Sequence, residues 1–184
     1  MRKIIVSNFA SLDGFMGGAN GEANWFVAGA EFFDYTKALL GQVDTILFGR
    51  VTYEGMASYW PNATDADPFM ADKMNNLRKV VFSKTLDKAN WNNTQLVKDD
   101  IGAAACELKQ QPGKDMVIYG SGSIVAALTQ RGLIDEYHLV VCPVVLGSGK
   151  PFFGCLDHRI PLKLVRSEAY PNGAMFMAYT TEGN

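Results

Sequence analysis

Five strand-length apolar runs, at residues 3–9 (KIIVSNF), 44–49 (DTILFG), 79–83 (KVVFS), 115–119 (DMVIY) and 135–142 (DEYHLVVC), alternate with helix-compatible stretches. Such alternation restricts a chain to parallel strands joined by crossovers, with helices covering the sheet. The clearest helical pattern is 29–41, where Phe32, Phe33, Thr36, Leu39 and Leu40 make one stripe ahead of Gly41. Weaker patterns occupy 51–59, 69–76 and 100–110. A further one, 122–131, begins with a Ser N-cap and stops at Gly132, a residue suited to the left-handed position after a helix. Two last strand runs, 162–169 and 174–181, flank "YPNG". Asn-Gly between such runs marks a hairpin, because both residues tolerate positive φ. The expected fold is therefore α/β, with a mixed, mostly parallel central sheet and a closing antiparallel hairpin.

The chain of 184 residues has no repeat or low-complexity linker, which suits one domain spanning 1–184. A net charge of −2 gives no basic face for nucleic acid, although a few local cations suffice for a small anion. No apolar stretch approaches the ~18 residues of a membrane span, so no membrane partner is expected. The opening "MRKIIVSNFASLDG" is too interrupted for an export signal. Cys106, Cys142 and Cys155 form no CxxC and cannot all pair, which suggests reduced thiols in the cytoplasm. His158 stands in a polar loop without partners at metal-ligand spacing, and no metal is expected.

Chemistry concentrates where apolar runs end. After residue 119 the chain continues Gly120-Ser121-Gly122-Ser123 into a helical pattern. The dinucleotide fingerprint G-x-G-x-x-G fails here, since Val125 replaces the third glycine and 138–142 (HLVVC) has no acid for a ribose. "LGSGK" at 146–150 has the wrong spacing for a P-loop, and no G-x-S-x-G occurs. What remains is a strand running through small residues into a helix N-terminus, which is either a tight turn or an anion site. Two other junctions share the pattern. Gly49 permits close approach, Arg50 brings charge, and Thr52 is a candidate cap for the next helix; Ser83 and Lys84 follow the run at 79–83. Each alone reads as a surface turn with a solvated cation. Together they are the layout needed by a ligand with several phosphates bound beyond the carboxyl ends of parallel strands.

"SLDG" at 11–14, "LFGRVTYE" at 47–54, "VVFSKTL" at 80–86 and "YGSGSIVAALTQRGLIDEYHLVVCPVVLGSGKPFF" at 119–153 resemble the dihydrofolate-reductase-like superfamily. Within it the chain is most similar to the reductase domain of riboflavin biosynthesis and its stand-alone bacterial relatives. The resemblance implies a dihydrofolate-reductase-like three-layer fold with helices on both faces of the sheet. It also implies an NADPH-dependent reductase of a small pterin-, folate- or pyrimidine-like substrate, and it is compatible with a homodimer. A non-catalytic nucleotide-binding or sensory module on the same fold is the alternative.

By the same resemblance, Gly120, Ser121, Gly122 and Ser123 would hold the pyrophosphate, with Arg50, Val51 and Thr52 at the second helix N-terminus. Ser83 and Lys84, helped by Arg50, would meet the adenosine ribose and its 2′-phosphate, a dianion that wants cations and hydroxyl donors. Leu12, Asp13 and Gly14 would lie near the nicotinamide, unless Asp13 only caps a turn. Trp25, Glu31 and Asp34 stand where dihydrofolate reductases keep a tryptophan and a pterin-binding acid. Glu31 and Asp34, at i and i+3, share a helix face and could relay a proton or simply face water. Leu146 and Gly147 would approach the ring, and Lys150 would meet a substrate phosphate or remain solvated. His138 has the pattern of a satisfied, half-buried strand histidine. Trp60, Phe152 and Phe153 suit core or dimer contacts better than stacking platforms.

Overall fold

Strands buried on both faces must be apolar at consecutive positions, and the chain meets that demand at four of its runs. A computed structural model describes residues 1–63, 67–154 and 156–182. In chain order the elements are β1 (Ile4–Ser11), β2 (Phe15–Gly17), α1 (Ala30–Gln42), β3 (Val43–Gly49) and α2 (Arg50–Tyr59). Then come α3 (Pro68–Asn76), β4 (Arg78–Phe82), β5 (Thr94–Val97), α4 (Ile101–Gln110), β6 (Asp115–Tyr119) and α5 (Gly122–Thr129). The chain closes with β7 (Glu136–Cys142), β8 (Lys150–Pro151), β9 (Leu162–Ala169) and β10 (Met175–Thr181).

Eight strands form one sheet in the order β5-β4-β3-β6-β1-β7-β10-β9. The first six are mutually parallel, and β10 and β9 join antiparallel, as the alternation and the closing hairpin require. Side-chain alternation divides the core. Ile4, Val6, Leu47, Val80 and Ile118 pack with Leu108, Ile124 and Leu128 of α4 and α5 on one face. Ile5, Ile46, Phe48, Val81 and Val117 pack with Leu39 and Leu40 of α1 and Met70 and Met74 of α3 on the other. Among the described residues no helix is long and apolar enough to cross a membrane.

Several local expectations change. β5, with sequence TQLV, is absent from the apolar pattern because it is a short edge strand with no fully buried side chain. β2 and β8 form a separate two-stranded ribbon too short to leave a periodic signal. Thr52 does not cap α2, because it lies inside that helix behind Arg50 and Val51. Ser121 holds the N-cap position of α5 but makes no side-chain cap there. In the hairpin turn the Gly173 N–H donates to the Tyr170 carbonyl, and only Gly173 has positive φ (85°). Pro171 favours a type I turn followed by a left-handed glycine, so Asn172 need not adopt positive φ. Cys106 is exposed and free, Cys142 is buried and free, and Cys155 lies outside the described residues.

Candidate functional site

The three small-residue junctions belong to β4, β3 and β6, which are consecutive neighbours in the sheet. Parallel pairing brings their carboxyl ends to one edge, where α2 and α5 begin. The first N–H groups of a helix have no acceptor within it and sit at the positive end of its dipole, so two such ends converge here. They open on a cavity of about 1350 Å³.

Ser121 locks the two turns together. Its Oγ accepts the Gly49 N–H at 2.9 Å and lies 3.0 Å from Thr52 Oγ1, while its own N–H donates to Thr52 Oγ1 at 3.1 Å. The exchange needs a left-handed backbone at both Gly120 (φ 67°) and Ser121 (φ 52°), the latter uncommon outside glycine. It also needs hydrogen at Gly49, where a Cβ would stand 2.4 Å from Ser121 Oγ. Ser121 is thus spent on the turn rather than on a helix cap.

Of the expected contacts, Gly49, Arg50, Val51, Thr52, Ser83, Gly120, Ser121, Gly122, Ser123 and Lys150 all line the cavity. Arg50 is held by Glu54 at 2.9 Å on an exposed helix face. Ser83 Oγ accepts the N–H groups of Thr85 and Leu86, which fixes the turn after β4. Lys84, one residue beyond Ser83, is exposed and outside the cavity wall.

Except for Lys150, the residues expected at the reducing end stand apart from this wall. Asp13 accepts from Ser11 Oγ at 2.7 Å and from the N–H groups of Leu146 and Gly147 at 3.1 and 2.7 Å. The Ser11 bond is the largest cause holding its carboxyl below the ordinary range. Leu12, Asp13, Gly14, Leu146 and Gly147 therefore tie two loops together and stand outside the cavity wall. Trp25, Glu31 and Asp34 also stand outside it. Trp25 donates to the Glu22 carbonyl at 3.2 Å, and Asp34 is exposed. The reason is rotational. The cavity face of α1 carries Phe32, Phe33 and Thr36. At 100° per residue, Glu31 and Asp34 both lie about 150° from the centre of that face.

Other residues build the wall instead. Phe9 stacks on Phe26 with centroids 4.5 Å apart and meets Phe32 at the same distance, so an aromatic wall faces the β1 side. Trp60 packs against the core, as expected, and also joins the wall, whereas Phe152 is core. Asn8 within β1 accepts the Gly120 N–H at 2.6 Å, and its buried Nδ2 has no partner. A buried amide donor without an acceptor, beside two open helix ends, fits a ligand carrying phosphates at one end and a carbonyl or carboxamide at the other. The polar pair Ser7-Asn8 inside an otherwise apolar strand was the available signal for these residues.

His138 is satisfied on both sides, as its pattern implies, by Tyr35 at 2.8 Å and Glu136 at 3.0 Å. The His138 hydrogen bond is the largest cause lowering the Glu136 carboxyl to about 2; it outweighs burial, and Lys3 at 2.7 Å adds to it. The ordinary value is 4.5, so between pH 4.5 and 2 the unfolded chain binds the extra proton and stability falls as pH falls. Glu136→Gln should erase that part of the acid loss, on the order of 1 kcal/mol after solvent screening, in urea melts at pH 5 and pH 3.

The chain matches the RibD C-terminal domain over residues 2–176. Among curated proteins it is 35% identical to YyaP of Bacillus subtilis, itself uncharacterized, over 99% of this chain and 96% of that one. A structure from Shewanella sp. PV-4, described as a riboflavin biosynthesis protein, superposes with TM-score 0.78 at 23% identity, covering 98% and 99% of the two chains. Dihydrofolate reductase from Enterococcus faecalis, complexed with NADP(H), superposes with TM-score 0.66 at 15% identity, covering 98% and 97%. The fold is dihydrofolate-reductase-like.

Proposed function

Because the chain belongs to the RibD C-terminal domain family, we propose that it is an NADPH-dependent reductase of a small heterocyclic substrate of pterin, folate or pyrimidine type. The observation that carries this reading is the interlocked pair of turns at the adjacent ends of β3 and β6, with Ser83 of the β4 end alongside. In this reading the first N–H groups of α2 and α5 bind the pyrophosphate, and Arg50 and Ser83 take the 2′-phosphate. Asn8 Nδ2 donates to the nicotinamide carboxamide. The aromatic wall of Phe9, Phe26 and Phe32 holds a flat ring and excludes water. When bound, the reduced nicotinamide supplies the hydride.

Energy transfer from the tryptophans, one of which lines the cavity, follows the titration. NADPH should saturate in the micromolar range and NADH bind about tenfold more weakly, as expected when one charge-assisted phosphate contact is lost. Arg50→Ala should shrink that preference to about twofold, since its guanidinium is the cation the 2′-phosphate lacks in the variant. Equal affinities, or no signal at high micromolar cofactor, would remove the reading. A second reading, a nucleotide-binding module without turnover, draws on the absence of Glu31 and Asp34 from the cavity wall. It gains if NADPH binds but no dihydropteridine, dihydrofolate or ribosylaminopyrimidine is reduced.

A further inference from the structure

Behind the aromatic wall a chain of hydrogen bonds leads away from the cavity. The register of β1 against β7 sets Ser7 beside His138 and Ile5 beside Glu136, so Lys3, Ser7, Glu136 and His138 share one face of the sheet. Tyr35 of α1 covers that face. Ser7 Oγ lies 3.1 Å from the Tyr35 hydroxyl, which lies 2.8 Å from His138 Nδ1; His138 Nε2 lies 3.0 Å from Glu136. Ser7 is the member that lines the cavity.

We infer that Ser7, Tyr35, His138 and Glu136 form a proton store that opens on the cavity, with Ser7 as the group that hands the proton to substrate. The logic is in the donors. Glu136, paired with Lys3, is an ionised acceptor, so His138 carries a hydrogen on Nε2 in either charge state. The state of Nδ1 then sets every other bond. With neutral His138, the single Tyr35 hydroxyl hydrogen goes to Nδ1 and Ser7 receives none from it. With protonated His138, Nδ1–H donates to Tyr35, Tyr35 donates to Ser7, and the Ser7 hydroxyl hydrogen is free for the cavity. One proton thus turns the Tyr35 hydroxyl from His138 to Ser7 with the heavy atoms at rest. Burial raises the Tyr35 phenol well above its ordinary value, which keeps it a neutral carrier.

The use of this proton rests on the reductase reading; the chain itself does not. On that reading a reduced nicotinamide would supply a hydride to the carbon of a substrate C=N bond, whose π electron pair would pass to the nitrogen. The nitrogen left with that electron pair takes the Ser7 proton. Ser7 takes the proton of Tyr35, Tyr35 takes that of Nδ1, and His138 passes from cation to neutral. Water recharges the store along the same route after product leaves. Glu136 and Tyr35 are positioning residues. The other groups facing His138 are Lys3 alongside, Tyr119 and Tyr170 near Tyr35, and Arg166 across β10. Arg166 lies over the Phe176 ring that His138 also meets, and it is bonded to Glu168.

Two measurements test the store. Long-range proton–nitrogen spectra of 15N-histidine protein with NADP⁺, from pH 5 to 9, report the His138 tautomer directly; His158→Gln assigns the other signal. A neutral His138 protonated on Nε2 is the expected result, and a neutral ring carrying its hydrogen on Nδ1 overturns the inference. In NADPH oxidation with whichever compound of the panel turns over, Tyr35→Phe and His138→Gln should lower kcat about 100-fold, the usual scale of lost proton transfer, with KM for NADPH within twofold. The wild-type fall of kcat with rising pH should vanish in both variants. Retention of the wild-type pH profile by either variant overturns the store. If no compound turns over, the reductase reading fails and the tautomer alone decides whether Tyr35 can turn between His138 and Ser7.

Discussion

Lys79→Ala is expected to destabilise the protein by about 4 kcal/mol and to lower its melting temperature by about 10 °C. Lys79 lies in β4, is fully buried, and has no carboxylate partner among the described residues. Its ammonium donates to the carbonyls of Met74, Asn75 and Leu77 at 2.9, 2.9 and 2.8 Å and lies 4.5 Å from the centre of the Trp91 ring. Those carbonyls close the C-terminal end of α3, where helix acceptors are otherwise unpaired and a cation is favoured. Truncation leaves acceptors without donors and a void beside Trp91. Lys79→Met keeps the volume and should cost only about 2 kcal/mol, which isolates the carbonyl contribution. Burial lowers the amine from 10.5 to about 8, so between those values the unfolded chain holds the extra proton. Wild-type stability therefore gains relative to Lys79→Met as pH rises through 8 toward 10, and urea melts at pH 7 and 9.5 read the difference. A gap that narrows with pH would contradict this account.

The elements that carry the sheet were legible because their burial is written in consecutive apolar residues. Ile4–Val6, Ile46–Phe48 and Met116–Ile118 need cover on both faces, and only helices between parallel strands supply it. β5 escaped because its neighbours, not its own side chains, make it a strand. At the site, glycines and cations at strand ends were visible because small residues must precede a helix that opens toward a ligand. Two other features were not. The Ser121–Thr52 lock joins residues far apart in sequence, which neither local pattern contains. On α1 the periodicity marked the apolar stripe and both acids, but Phe32 and Thr36, rather than Glu31 or Asp34, face the cavity because of what packs on each side. A pattern gives a helix its faces; the sheet and loops decide what each face meets.

Gly120→Val is expected to raise the Kd for NADPH more than 100-fold and to cost about 3 kcal/mol of stability. Both losses come from one place. At φ 67° a β-branched residue is strained, and its Cβ would stand 2.5 Å from Thr52 Oγ1 and 2.7 Å from Thr52 Cγ2. Thr52 cannot turn aside without releasing the Ser121 N–H, so the clash opens the lock between the β3 and β6 turns. Fold and ligand contributions separate in a second pair of variants. Gly120→Ala carries the same contact on a smaller side chain, and adding Thr52→Ala removes both crowded atoms. Urea melts should then recover about 1 kcal/mol relative to Gly120→Ala alone. NADPH affinity should not recover, because the Ser121 N–H has lost its acceptor and the turn no longer aims the first N–H groups of α5. If Gly120→Val keeps its affinity within threefold, the turn serves only to reverse the chain. If affinity returns with the double variant, the glycine alone, rather than the lock, shapes the anion site.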